Sequence, residues 1–292
     1  MPDNGFEKLN INWYPGHMTK AVRMMQDNLK LVDAVCELLD ARAPEASRNP
    51  DIDKLAGDKP RLVILNRTDL ADPGITALWR DYYQRLGFRV LMIDSKSGRG
   101  VGDFPEAVRQ VLHEKIEARA AKGQPGRALR VMILGIPNVG KSTFINKVAG
   151  RKVAAVSDRP GVTRGRQWIT VDRGLELLDT PGILWPRFDS QEIGELLAVT
   201  GAVKDDVLDR ETLAANFLVR LMRYYPQALE ERYKLTAEDG TSGYELLEAA
   251  AKKRGFLIRG GGCDTERMSA ILLDEYRGGK LGRLSLQKPD ES

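Results

Sequence analysis

Two cysteines, Cys36 and Cys263, and two histidines, His17 and His113, are all that 292 residues contain. So few thiols cannot build a disulfide framework, and together with two imidazoles they leave no zinc-module spacing. Long hydrophobic runs are missing as well. Stretches such as Leu62 to Leu65 and Val131 to Leu134 fall far short of the roughly 20 residues that span a bilayer, and Met1 to His17 carries no hydrophobic signal segment. These absences argue against membrane, secreted and zinc-module classes and make a reducing cytoplasm the expected setting.

A strong overall charge is also lacking: 45 Lys+Arg against 41 Asp+Glu give +4. The excess is uneven, with residues 1 to 186 basic and the remainder slightly acidic. That distribution suits a polyanionic partner, or serves only solubility. With 42% hydrophobic and 29% charged residues the chain should fold, as one large domain or as a medium and a smaller one.

In the first 186 residues, strand-length apolar runs alternate with amphipathic helical segments. Ala34 to Leu39, Arg61 to Leu65, Arg89 to Ile93, Arg130 to Leu134 and Leu175 to Leu178 are the expected strands, and one helix is expected from Gly102 to Ala120. This βαβ rhythm points to an α/β class, a mostly parallel sheet with helices on both faces and ligands beyond the carboxyl ends of its strands. Lys122 to Gly126 reads as an exposed linker. After Pro186 helical periodicity takes over, through Glu192 to Val203, Glu211 to Tyr224, Tyr244 to Arg254 and Glu266 to Tyr276. Ser242 and Glu245 have capping-box spacing, and Gly278 with Gly279 supplies a stop. The expected division is therefore 1–186 and a small helical domain, 187–292.

Gly135 to Ser142 satisfies G-x-x-x-x-G-K-[ST] between an expected strand and an expected helix. Such a loop lets the backbone amides around Asn138, Val139, Gly140 and Thr143 converge on phosphates, while Lys141 reaches β and γ oxygens and the Ser142 hydroxyl ligates Mg²⁺. At Asp179 to Gly182 an apolar strand ends in D-x-x-G, the arrangement in which Asp179 holds Mg²⁺ through water and the Gly182 amide touches a γ-phosphate. Thr163, in the basic segment between them, could cap the metal and sense the γ-phosphate, or be an ordinary exposed turn threonine.

Asn66, Arg67, Thr68 and Asp69 follow the strand Arg61 to Leu65. A carboxylate at Asp69 suits the paired N1 and N2 donors of guanine, which adenine lacks, and Asn66 would tie this loop to the phosphate loop. Arg67 stands where the usual N-K-x-D motif has lysine, and its aliphatic stem could still cover the base. The next strand ends at Asp94, Ser95, Lys96, Ser97 and Gly98, similar to an S-A-K base loop whose serine has become aspartate. The Ser95 amide would face guanine O6, with Lys96 beside it.

The base loops precede the phosphate loop, the reverse of the ordinary GTPase order. One site still forms if the domain is circularly permuted. That order resembles the circularly permuted ribosome-assembly GTPases. Asn12, Trp13, Tyr14, Pro15, Gly16, His17 and Met18, with Asp40, Ala41, Arg42, Ala43 and Pro44, are similar to the signatures of the ribosome biogenesis GTPase A family. The resemblance covers residues 10 to 186 and the helical tail in size and character. It implies GTP hydrolysis in late maturation of the large (50S) ribosomal subunit, with binding to precursor particles, rRNA and ribosomal proteins in the GTP state and departure after hydrolysis.

Ile183 stands where many GTPases place a glutamine that orients water. By resemblance His17 takes that role; the alternative is a turn histidine packed on Trp13 and Tyr14. Asn138 occupies the position that ligates K⁺ in related GTPases, or it only shapes the loop. In the tail, Lys252, Lys253, Arg254 and Arg259, then Arg277, Lys280, Arg283 and Lys288, could meet RNA phosphates, with Phe256 or Tyr276 to stack; a solvated helix face is the plainer reading. A monomer is expected. The rival functions are a P-loop ATPase or kinase and a nucleotide-gated RNA-binding module with incidental hydrolysis.

Overall fold

The computed structural model describes residues 18–124, 126–150, 167–172, 174–179, 190–203, 209–236 and 241–289. They fall into two compact units, one drawn from 18–179 with 285–289 and the other from 190–284. The first unit thus includes residues 285–289, which the expected boundary at 187 assigns to the helical part.

The first unit holds β1 (Ala34–Asp40), β2 (Arg61–Asn66), β3 (Arg89–Met92), β4 (Leu129–Leu134), β5 (Gln167–Asp172) and β6 (Leu175–Asp179) in one sheet of order β3-β2-β1-β4-β6-β5. All pairings are parallel except β5 with β6. Every residue of β1 is buried, as a central parallel strand covered on both faces requires. Glu37 in its middle is accommodated by Arg48 at 3.1 Å and Arg61 at 3.2 Å. Helices α1 (Met18–Leu29) and α2 (Ile52–Ala56) lie on one core, where Met25, Leu29 and Ile52 meet Val35, Met132 and Leu178.

Two sequence expectations change here. The single helix expected over Gly102 to Ala120 is a short 3-10 turn at Val101–Asp103, then α4 (Phe104–Val111) and α5 (His113–Ala121), broken at Leu112. α4 buries Phe104, Ala107 and Val108, whereas α5 buries none of its residues and is held through Lys115 and Arg119, each 2.7 Å from Asp33. Strand β5 was not among the expected strands, because its period-2 pattern buries only alternate positions such as Ile169 and contains no apolar run. α3 (Pro73–Arg85) and α6 (Lys141–Val148) complete the unit; α3 starts on Pro73, with Asp72 accepting from Ile75 N–H at 2.9 Å.

The second unit contains α7 (Gln191–Val199), α8 (Arg210–Tyr224), α9 (Pro226–Tyr233), α10 (Gly243–Lys253) and α11 (Thr265–Arg277). The expected capping box at Ser242 and Glu245 is present in both directions, at 2.7 and 3.3 Å. α9, a short helix started by Pro226, is an addition to the four expected. Among the described residues no helix is long and apolar enough to cross a membrane.

Candidate guanine-nucleotide site

Strand order alone brings the chemistry together. β4 lies beside β1, followed by β2, so the loops after all three strands open at the same end of the sheet. Residues 135–140 leave β4 as a turn and enter α6 at Lys141. Two glycines there are dictated by space. A Cβ on Gly135 would lie 2.7 Å from the Leu38 carbonyl oxygen, and one on Gly140, which has φ +100°, would lie 2.5 Å from the Asn66 amide nitrogen. Lys141 is buried, and its Nζ donates to the Gly135 and Ile136 carbonyls at 3.0 and 3.1 Å, folded over the loop that would hold phosphate. Ser142 and Thr143, both partly exposed, follow on the first turn of α6.

Asn66 ends β2 and is 1% exposed. Its Nδ2 donates to the Val139 carbonyl at 2.8 Å, and its Oδ1 accepts from Ser95 N–H at 3.1 Å and from the Ser95 hydroxyl at 2.8 Å. One buried amide therefore joins both base loops to the phosphate loop. Arg67 donates to the Asn138 carbonyl, and these two partners are both non-glycine residues in the left-handed region, with φ of 62° and 58°. Asp69 is half-buried in the same loop, and among the described residues nothing hydrogen-bonds its carboxylate.

The departure at Asp94 turns out to brace its own loop. Its Oδ1 accepts from Lys96 N–H at 2.8 Å and Ser97 N–H at 3.2 Å. Burial pushes its carboxyl upward, but the hydrogen bonds from Ser97 and Lys96 and the charge of Arg99 outweigh it and leave the group below the usual aspartate range. Lys96 itself is exposed. Gly98, at φ +93°, leaves room for Lys147 of α6: a Cβ there would sit 2.3 Å from the lysine Cε.

For a divalent ion, the donors to hand are hydroxyl and carboxylate oxygens, the set that suits Mg²⁺. Ser142 follows β4 by one turn, and β6, whose last residue is Asp179, pairs with β4 in the register Met132 to Leu178. The backbone thus carries Asp179 toward the same sheet end as Ser142. His17, Thr163 and Gly182 lie outside the described residues.

Sequence reasoning named Asp40 and Arg42 without giving them work. Both are buried at the end of β1, where Asp40 stands in register with Asn66. An acid closing an apolar strand, two residues before an arginine, was the available signal. In the helical unit Lys252, Lys253 and Arg259 are exposed as expected. Arg254 is instead taken up by Glu275 at 2.9 Å, Arg277 donates to the Ala198 and Val199 carbonyls at 2.8 and 3.1 Å, and Tyr276 is buried against Phe217. These three serve packing: Arg254 and Arg277 reach inward to satisfy acceptors, and Tyr276 fills the core against Phe217. Phe256 is half-buried under Arg267, 4.4 Å from its ring centre.

The chain is similar to several known proteins. Residues 130–236 match the profile of a family described as "50S ribosome-binding GTPase". The matched stretch begins within β4 and runs into the helical unit. A protein of Bacillus cereus named "Ribosome biogenesis GTPase A" is 46% identical over 281 residues, covering 96% of this chain and 95% of its own. Among solved structures, GDP-bound YlqF is similar at 29% identity with a TM-score of 0.68, covering 91% of this chain and 99% of its own. GNP-bound YlqF from T. maritima gives 28% and 0.66, with 94% and 100% covered.

Proposed function

The chain belongs to the ribosome biogenesis GTPase A family, and from that premise we propose that it binds precursors of the large (50S) ribosomal subunit in its GTP form, through rRNA and ribosomal proteins, and leaves after hydrolysis. It is a circularly permuted P-loop GTPase and an assembly factor of ribosome biogenesis, with GTP as substrate. The observation that carries the nucleotide reading is the buried amide of Asn66, bonded at once to Val139 and Ser95. With that anchor, Asp69 would accept from guanine N1 and N2, the Ser95 amide would face O6, and Lys96 and Arg67 would flank the base.

On the phosphate side, Lys141 would exchange its loop carbonyls for β and γ oxygens, and the amides of Val139, Gly140 and Thr143 would cradle them. Ser142, Thr163 and Asp179 would hold Mg²⁺, which supplies charge neutralisation when bound. Water attacks the γ-phosphorus in line; the bond to the bridging oxygen breaks, GDP leaves, and the water proton passes to the released phosphate. The Gly182 amide would meet the γ-phosphate and His17 would orient the water, in place of the glutamine that Ile183 replaces. Asn138 would ligate K⁺.

The helical unit supplies the rRNA surface in this reading, with Lys252, Lys253 and Arg259 exposed to phosphates. The protein works as a monomer in the cytoplasm. Co-sedimentation with 50S-sized particles under GTP, GDP and a nonhydrolysable analogue tests it. Retention under GTP and the analogue, loss under GDP, and weakening as salt rises are expected; equal retention under all three overturns the switch. His17→Ala should lower turnover and spare GTP affinity, and turnover should fall when Na⁺ replaces K⁺ at equal ionic strength.

A further inference from the structure

The last described residues return to the first unit and end on the corner that carries Asp40. The Ser285 hydroxyl accepts from Asp72 N–H at 3.1 Å, and Leu286 N–H donates to the Arg42 carbonyl at 2.7 Å. The Gln287 side-chain oxygen accepts from Ala46 N–H at 2.9 Å, and its backbone carbonyl accepts from the Trp79 indole at 3.0 Å. Three consecutive residues thereby bridge the loop after β1 and the start of α3, which directly follows Asn66 to Asp69.

At that corner one carboxylate serves two cations. Arg42, with no exposed side-chain surface, holds Asp40 through Nε at 2.9 Å and Nη2 at 2.8 Å, and its backbone N–H adds a third bond at 3.0 Å. The Asp40 N–H donates to the Ser47 hydroxyl at 2.9 Å. Both members of the pair are buried and held by several hydrogen bonds. The other cation is Arg67, whose Nη1 lies 3.8 Å from Asp40 while Nη2 donates to the Asn138 carbonyl. A long side chain loses entropy when held to one aim, and left-handed backbone at two bonded non-glycine residues persists only where the surroundings over-determine it.

We propose that Asp40, immobilised by Arg42, is a positioning residue for nucleotide retention: it aims Arg67 at the Asn138 carbonyl and so keeps the base loop on the phosphate loop, while the strap Ser285–Gln287 latches the loop that carries Arg42. This rests on the guanine-nucleotide reading above. Asp40 touches no nucleotide in this role and acts through Arg67. Residues 285–287 thereby bear on how long nucleotide stays bound, although they lie far along the sequence from every nucleotide motif.

The test is release of a fluorescent GDP from the full chain, followed by stopped flow, beside kcat at saturating GTP. Asp40→Asn and Arg67→Ala should each speed release by roughly tenfold, a larger factor than either changes kcat. Arg67→Lys should restore part of the loss. In the Arg67→Ala background, Asp40→Asn should add nothing, because its effect runs through the missing guanidinium. Leu286→Pro, which deletes the strap's N–H, should speed release about threefold and leave kcat unchanged. Should Asp40→Asn strand Arg42 and unfold the chain, Asp40→Asn with Arg42→Met removes both buried charges and should fold and still release quickly. Unchanged release in Arg67→Ala and Leu286→Pro, or a full Asp40 effect without Arg67, overturns the inference. If ATP displaces the label from the unaltered chain as well as GTP does, the guanine reading fails and takes the inference with it; GTP-selective displacement with unaltered release sinks the inference alone.

Discussion

Asp40 in the first unit and Glu275 in the second are both buried carboxylates facing two arginines, yet the arginines lead to different places. Glu275 receives Arg232 from α9 at 2.9 Å and Arg254 from the end of α10 at 2.9 Å, together with the Tyr233 hydroxyl at 2.7 Å. Among the described residues every partner belongs to the helical unit, so the cluster closes on itself and sets how three helices meet. Asp40 is closed on one side by Arg42 and open on the other, where Arg67 continues to the phosphate loop. Similar chemistry gives a clamp in one unit and a lever in the other. Topology decides which: a carboxylate on the face of a helix meets other helices, whereas one at the carboxyl end of a central strand meets the loops that hold ligand.

The largest effect expected from this contrast is on Glu275. Glu275→Ala leaves two guanidinium groups and a phenol without their acceptor and should cost about 3–5 kcal/mol in the helical unit, read by denaturant unfolding. GTP affinity should not move; a parallel loss of affinity would break the distinction between clamp and lever. The same residue has an acid signature. Burial pushes the Glu275 carboxyl up, but the hydrogen bonds from Arg232 and Tyr233 and the charge of Arg254 pull it down to about 2. A carboxylate lowered by folding stabilises above its unfolded value, and that stability is lost as pH falls from about 4.5 toward about 2. Glu275→Gln should flatten the pH dependence of unfolding in that window.

Next in size is Asn66→Ala. It removes three hydrogen bonds and leaves the Val139 carbonyl and Ser95 unsatisfied at a site only 1% exposed. A cost of about 2 kcal/mol, or roughly thirtyfold in GTP dissociation constant by equilibrium titration, is expected. Unlike Glu275→Ala, the loss should appear in nucleotide affinity more than in unfolding of the helical unit.

How much of this was legible in the sequence follows from where each signal resides. The phosphate loop, both base loops and five strands are local: apolar runs, glycines whose Cβ would collide, and an acid or amide closing a strand. The permuted order was legible too, because motifs can be read in any sequence order. Other features depend on partners distant in the chain. β5 is one residue period on one face of the sheet, with no run to mark it. Tyr276, Arg254 and Arg277 looked like a surface for RNA because composition does not say which side of a helix meets a neighbour. The strap was invisible for a similar reason: Ser285, Leu286 and Gln287 bond to Asp72, Arg42 and Ala46, more than two hundred residues away. Asp40 and Arg42 stood out as a signature, but only geometry supplied Arg67 as their third member.

The smallest and sharpest comparison uses two aspartate helix caps, one in each unit. Asp72 accepts from Ile75 N–H at 2.9 Å at the start of α3, and Asp209 accepts from Thr212 N–H at 3.2 Å at the start of α8. Replacing either by alanine should cost about 1 kcal/mol of stability. Their functional effects should differ. Asp72 closes the loop that begins with Asn66, and its backbone N–H is bonded to Ser285, so Asp72→Ala loosens a segment connected to the base site at both ends. Asp209 caps a helix whose buried face meets α10 and α11, with Thr212 also bonded to the Tyr244 hydroxyl at 2.7 Å. GDP release should therefore quicken about twofold to threefold in Asp72→Ala and stay unaltered in Asp209→Ala at equal loss of stability. Equal release from the two variants would mean that stability alone sets retention, and the corner around Asp40 would then be scaffolding rather than a lever.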